Sequence, residues 1–225
     1  AVLIKIDWTV TSLEALSARV LACRRCPRLG GYQAGLKKAN PDWHCKPVPG
    51  FGDAKASVVL IGLAPSKTGG NRTGRIFTGD KTAAFLFQAL HAAGYASQPH
   101  SHRADDGLQL RGIYLTPALK CAPPQDKPRP EELRGCRSFL RQELEHLGAL
   151  QVVIALGKIA HEAYLKAAEA PLASYPFRHG AMHRLPGFSP LLDTYHCSPR
   201  NTNTGLLSMG MLVDVLCVAR RLSNG

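Results

Sequence analysis

The sequence has little that would carry the chain across a membrane. Its apolar runs, such as residues 58–63 and 152–156, fall far short of the ~20 residues a spanning helix needs. No charged-then-apolar stretch precedes a small-residue cleavage site, so the expectation is a soluble, cytoplasmic protein with no membrane partner. Internal repeats and long low-complexity tracts are absent as well, which leaves a globular reading. Acidic residues are scarce: 16 Asp and Glu stand against 28 Lys and Arg, a formal net charge of +12. That imbalance suits a polyanionic partner, because each cation placed near a phosphate releases a condensed counterion. A neutral small substrate, such as a free nucleoside, would gain little from it.

What is present is enough for one sizeable core. A chain of 225 residues, 45% of them apolar, fits one domain over 1–225 better than two. Periodicity predicts helices over 13–22, 82–93, 130–147, 158–169 and 206–222, and strands over 57–63, 112–119, 150–156 and 191–196. Strand and helix in alternation predict an α/β fold with a mostly parallel sheet covered on both faces. In such sheets ligands bind beyond the carboxyl ends of the strands. Residues 97–107, SQPHSHRADDG, read as an exposed insertion.

Seven cysteines without a secretion signal argue against a disulfide framework. Cys23 and Cys26 form C-x2-C, while Cys121 and Cys136 have 14 residues between them (136 − 121 − 1). Four thiolates in two sequence-local pairs make a four-ligand pattern. Zinc favours tight pairs at both ends and an iron-sulfur cubane tolerates irregular spacing, so [4Fe-4S] is preferred to zinc. Ordinary buried thiols are the remaining alternative. Cys217 lies in an apolar helical pattern and reads as a core thiol, and Cys45 beside His44 is a poor ligand candidate.

Two polar loops follow predicted strands. The first, GLAPSKTGGNRTGRIFTGD from Gly62, is neither a Walker P-loop nor the G-x-G-x-x-G dinucleotide fingerprint. It reads as a close-approach loop. Its glycines let backbone come near a flat or charged ligand, Arg72 and Arg75 can meet phosphate, and Phe77 offers an aromatic face. Asp80 is either a carboxylate held at the rim or the N-cap of the following helix. The second loop, HCSPRNTNTG, brings His196 as a donor to a leaving group, with Arg200 and Asn201 suited to phosphate or base-edge contact. A structural histidine is the alternative there.

Taken together, GLAP, NRTGRIFTGD, the His-x-Ser-Pro-Arg-Asn-Thr loop and the four-cysteine pattern resemble the iron-sulfur uracil-DNA glycosylases, and the long first motif resembles the family 5, or type B, branch. The resemblance covers most of the chain. It implies a three-layer α/β/α sandwich around a mostly parallel four-stranded sheet, and a monomer acting on nucleoid DNA in a prokaryotic cytoplasm. The activity implied is removal of uracil, and of other deaminated bases such as hypoxanthine, by cleavage of the N-glycosidic bond. By the same resemblance the cluster ligands are Cys23, Cys26, Cys121 and Cys136. Asp80 stabilises the sugar cation or orients water, and His196 donates to the departing base. Gly62, Leu63, Ala64, Pro65, Phe77 and Asp126 shape the base pocket, while Arg72, Arg75, Ser198, Pro199, Arg200 and Asn201 meet DNA. Pro117 stands where a sister family carries asparagine, which implies a broader choice of base. Asp126 replaces an expected asparagine and Cys197 an expected proline. The rival expectation is an iron-sulfur or zinc nucleic-acid-binding module that cuts no bond.

Overall fold

A computed structural model describes residues 12–223, so the single-domain reading of 1–225 runs past the described residues at both ends. In chain order the first elements are helices α1 (Leu13–Leu21) and α2 (Pro27–Ala39), strands β1 (Phe51–Gly52) and β2 (Val58–Gly62), helices α3 (Gly70–Thr73) and α4 (Lys81–Ala92), and strand β3 (Ile113–Pro117). There follow α5 (Pro130–His146), β4 (Val152–Leu156), α6 (Lys158–Ala167), β5 (Met182–His183), β6 (Leu191–Thr194), α7 (Pro199–Asn203) and α8 (Met209–Leu222). Among the described residues no helix is long and apolar enough to cross a membrane.

The strands form one sheet in the order β1-β3-β2-β4-β6-β5. Its middle four, β3, β2, β4 and β6, are mutually parallel and are the four that periodicity predicts. The two-residue edges β1 and β5 pair antiparallel, and are too short to leave a period in the sequence. Strands β2, β3 and β4 are buried at every residue, which is why they read as apolar runs rather than alternations. Val58 and Leu60 pack with Leu86, Phe87 and Leu90 of α4 and Leu212 and Leu216 of α8. Their neighbours Val59 and Ile61 pack with Leu140 of α5 and Tyr164 and Leu165 of α6. The sheet is therefore covered on both faces, each buried aliphatic side chain contributing about 1.5–3 kcal/mol.

Two features differ from expectation. Helix α2 forms in a stretch with Gly30, Gly31 and Gly35, a composition that disfavours helix, because Pro27 starts it and Leu29, Gln33 and Leu36 are buried along it. Residues 97–107 are not a free insertion, because Ser101 is buried and Asp106 forms a salt bridge with Arg75. Beneath the loop after β3, Lys120 Nζ donates to Glu143 Oε2 and to Thr116 Oγ1, each at 2.7 Å, with both charged side chains almost wholly buried.

Candidate active site

The carboxyl ends of β2 and β6 deliver the two polar loops to one place. Strand β2 ends at Gly62, where a Cβ would stand 2.4 Å from Phe77 Cζ, so the missing side chain is what admits the ring. Phe77 holds φ at 51°, the left-handed region that costs a non-glycine residue about 1 kcal/mol or more. The turn carries the ring back against the strand end.

Asp80 resolves the choice between cap and pocket residue by being both. Its Oδ1 accepts the Ala83 amide at 2.8 Å, capping α4. The Ser66 hydroxyl donates to its Oδ2 while accepting the Gly69 amide at 3.0 Å. Both carboxylate oxygens are thus fixed, and each keeps a second acceptor site for a ligand.

His196 follows β6 over a close backbone approach: a Cβ at Gly157, which has φ 93°, would lie 3.2 Å from His196 Cβ. Asn201 Nδ2 donates to the His196 carbonyl at 2.8 Å and closes the loop. Burial pushes the imidazole below the ordinary histidine range, and the nearby Asp80 and Asp126 carboxylates pull the other way. The ring is therefore held neutral at neutral pH. Its neighbour Cys197 is fully buried and its thiol is pushed up to about 12 by that burial, which makes it packing rather than a nucleophile. Asp126 reaches the site from a turn in which Gln125 and Asp126 both hold positive φ, 57° and 56°.

Around these groups lies a cavity of about 520 Å³. Leu63, Ala64, Phe77, Asp80, Asp126 and His196 line it together with Ser66, Gly70, Ile76 and Thr82, and Ser198, Pro199 and Arg200 stand on the same wall. Three expectations need correction. Arg75 is not a phosphate ligand: its side chain is 7% exposed, pairs with Asp106 at 2.8 Å, donates to Thr78 and Ser101, and lies over the Phe51 ring. Gly62 and Pro65 do not face the cavity; the first makes room for Phe77, and the second is buried beneath Gly70. Arg72 and Asn201 spend donors on backbone, Arg72 on the Thr68 and Gly79 carbonyls. Ser66 and Gly157 were not singled out from sequence, since their roles rest on contacts that local spacing does not reveal.

The four cysteines Cys23, Cys26, Cys121 and Cys136 line a second cavity of about 350 Å³ at the start of α2. Burial is the main cause that raises Cys26, takes Cys121 to about 12 and Cys136 to about 11, and the thiols also raise one another. Without a cation, Cys26, Cys121 and Cys136 favour the protonated thiol. A tetrahedral zinc site would bring its sulfurs within about 3.8 Å of one another. Among the described residues the group of three metal-ligand atoms mutually within 4.8 Å is that of His161, His183 and Asp193, and no three of these sulfurs come that close. Gln33 presents a buried Nε2 on the same cavity, and its side chain acts on the Cys121 sulfur as a hydrogen-bond donor, the contact a ligating thiolate accepts. The residues fit a [4Fe-4S] cluster.

Comparison with known proteins gives the family of the chain. Residues 49–217 match the family described as the uracil DNA glycosylase superfamily. The chain is 49% identical to a type-5 uracil-DNA glycosylase of Thermus thermophilus over 217 residues, 94% of this chain and 98% of the relative. It is 44% identical to one of Pyrobaculum aerophilum, covering 88% of each, and 37% identical to one of Mycobacterium tuberculosis, covering 95% of this chain and 82% of the relative.

Proposed function

The chain belongs to the uracil-DNA glycosylase superfamily, in its type-5 branch, and on that basis we propose that it excises uracil from DNA by hydrolysing the N-glycosidic bond, with Asp80 and His196 as the catalytic pair. The observation that carries this reading is that a carboxylate fixed through both oxygens and a neutral imidazole open into one cavity walled by an aromatic ring.

Bond cleavage leaves an oxocarbenium-like sugar and an anionic base, so negative charge is needed at the sugar and a donor at the base. Asp80 supplies the first and accepts a proton from the water that adds to C1′. The neutral His196 N–H donates to the base carbonyl oxygen as charge builds there, and the base leaves with the electron pair of the broken bond. Phe77 gives the extruded base an apolar face. Leaving the stack costs about a few kcal/mol, least for a mispaired base, which favours a G·U site. Arg200 and Pro199, on the same wall, would hold the gap in the duplex open.

No Asn or Gln lines the cavity among the described residues, and Leu63 and Ala64 face it with apolar side chains. That supports a pocket tolerant of other deaminated bases, hypoxanthine among them. Cys23, Cys26, Cys121 and Cys136 would hold the [4Fe-4S] cluster, which supplies a rigid four-point cross-link when bound. By the same family reading the protein acts on DNA as a monomer in the cytoplasm.

The test is incubation of cluster-loaded protein with duplex DNA carrying one labelled uracil opposite guanine, followed by alkali. A strand cut at the uracil is expected, with Asp80→Asn slowing the single-turnover rate by about a hundredfold or more. No abasic product from uracil or hypoxanthine would overturn the reading, and a full rate in Asp80→Asn would remove Asp80 from it.

A further inference from the structure

Among the described residues, apart from the pocket and the cysteines, one buried cluster is built of metal-binding groups. His161 of α6, His183 of β5 and Asp193 of β6 present ligand atoms that all lie within 4.8 Å of one another. His161 Nδ1 stands 2.8 Å from Asp193 Oδ1, and His183 Nε2 stands 3.0 Å from Oδ2. Asp193 is wholly buried, and the side chains of His161 and His183 are 3% and 11% exposed. None of the three lines the catalytic pocket.

The hydrogen-bond roles make the case. His161 Nε2 lies 2.8 Å from the Tyr175 carbonyl, which can only accept. A neutral His161 therefore carries its proton on Nε2, and its Nδ1 lone pair then faces a carboxylate that also only accepts. Either a second ring proton, which makes the imidazolium, or a metal cation resolves that contact. A metal ion at Nδ1 meets that need, and a ligating imidazole whose other N–H donates to a backbone carbonyl is the arrangement that fixes its tautomer. The Arg178 amide donates to Asp193 Oδ2 at 3.3 Å, orienting the carboxylate in the same way.

We propose that His161, His183 and Asp193 form a divalent-metal site, with zinc as its ion. Two imidazoles and one carboxylate are a nitrogen-oxygen set suited to zinc, and in a tetrahedral site their ligand atoms stand about 3.3 Å apart. The present spacings need to widen by about half an ångström, within the reach of side-chain rotation. A surface cleft of about 390 Å³ is lined by His161 and Tyr175, so the cluster borders on solvent at the His161 ring. The ion ties α6, β5 and β6 together, and Asp193 precedes His196 by three positions (196 − 193), so it braces the strand end that carries the imidazole of the pocket.

Cluster-loaded protein, stripped with a chelator and titrated with zinc chloride, tests this directly. One zinc per chain is expected after gel filtration, and its X-ray absorption should show nitrogen and oxygen neighbours at about 2.0–2.1 Å with no sulfur at about 2.3 Å. His183→Ala should weaken zinc binding by about a hundredfold or more. No zinc above background, a sulfur shell marking capture by the cysteines, or equal affinity in the variant would each overturn the proposal. If the variant fails to fold, the absorption spectrum of the unaltered protein decides alone.

Discussion

Alanine at Gly62 would separate the pocket reading from a merely structural one. The new methyl would meet Phe77 Cζ at 2.4 Å, whereas carbon atoms rest at about 3.5–4.0 Å, so the ring must retreat by about 1 Å. Backbone conformation is not the obstacle, because Gly62 lies in extended β2 and has no positive φ. The ring has little freedom either, since Phe77 is buried and its own backbone is left-handed. Overpacking of this kind costs about 1–3 kcal/mol, and 2 kcal/mol corresponds to a Tm lower by about 4–8 °C in a domain of this size. If the ring forms the wall on which the extruded base rests, its displacement should also slow single-turnover excision by about a hundredfold. Gly35→Ala is the control: it lies in α2 with open space around it, and should raise stability by about 0.5–1 kcal/mol without touching the rate. Native rate and native Tm in Gly62→Ala would refute the argument, and a lower Tm with an unchanged rate would remove Phe77 from base binding.

Other expectations follow from the same contacts. Glu143→Ala leaves the Lys120 ammonium buried without its partner, and denaturant unfolding should show a loss of about 3–5 kcal/mol; an unchanged midpoint would mean that water reaches Lys120. Because burial lowers His196, its neutral donor form should persist as pH falls through the ordinary histidine range, with the excision rate dropping only at lower pH. Asp126→Asn removes one of the carboxylates opposing that shift, so the acid limb should move to still lower pH; movement to higher pH would contradict the assignment. The linked stability has the matching sign, since a histidine buried neutral loses stability as pH falls below its unfolded value. Arg75→Ala should lower Tm and leave the salt dependence of DNA binding unchanged, whereas Arg200→Ala should reduce the slope by about one with little effect on Tm; the reverse pattern would reinstate Arg75 as a phosphate contact.

The parallel strands were legible because buried apolar runs such as VVLIG keep their character wherever they are met. The edges β1 and β5 were not, since two residues cannot carry a period. Helix α2 was hidden by its glycines, whose unfavourable propensity is outweighed by tertiary burial of Leu29, Gln33 and Leu36. The loop from Gly62 to Asp80 was recognisable as a site from its composition, yet the jobs within it were not. Arg75 looked like its neighbour Arg72 until Asp106, 31 positions away, claimed its guanidinium. Ser66 acquires its place only when the chain returns 14 residues later to set Asp80 beside it. Local chemistry thus marks where a site is, and non-local contacts decide which of its residues face the ligand.

The double engagement of Asp80 links catalysis to a folding event. Its carboxylate cannot drift from the pocket without uncapping α4, so thermal fluctuations that misplace it must also fray a helix end. The charge that meets the sugar is in this way positioned by a helix packed in the core, and little reorganisation remains to be done when substrate arrives. Asparagine, an equally good cap, would keep the geometry while removing the charge, whereas alanine would release both at once. Comparing the two variants measures how much of the rate comes from the charge and how much from holding it still.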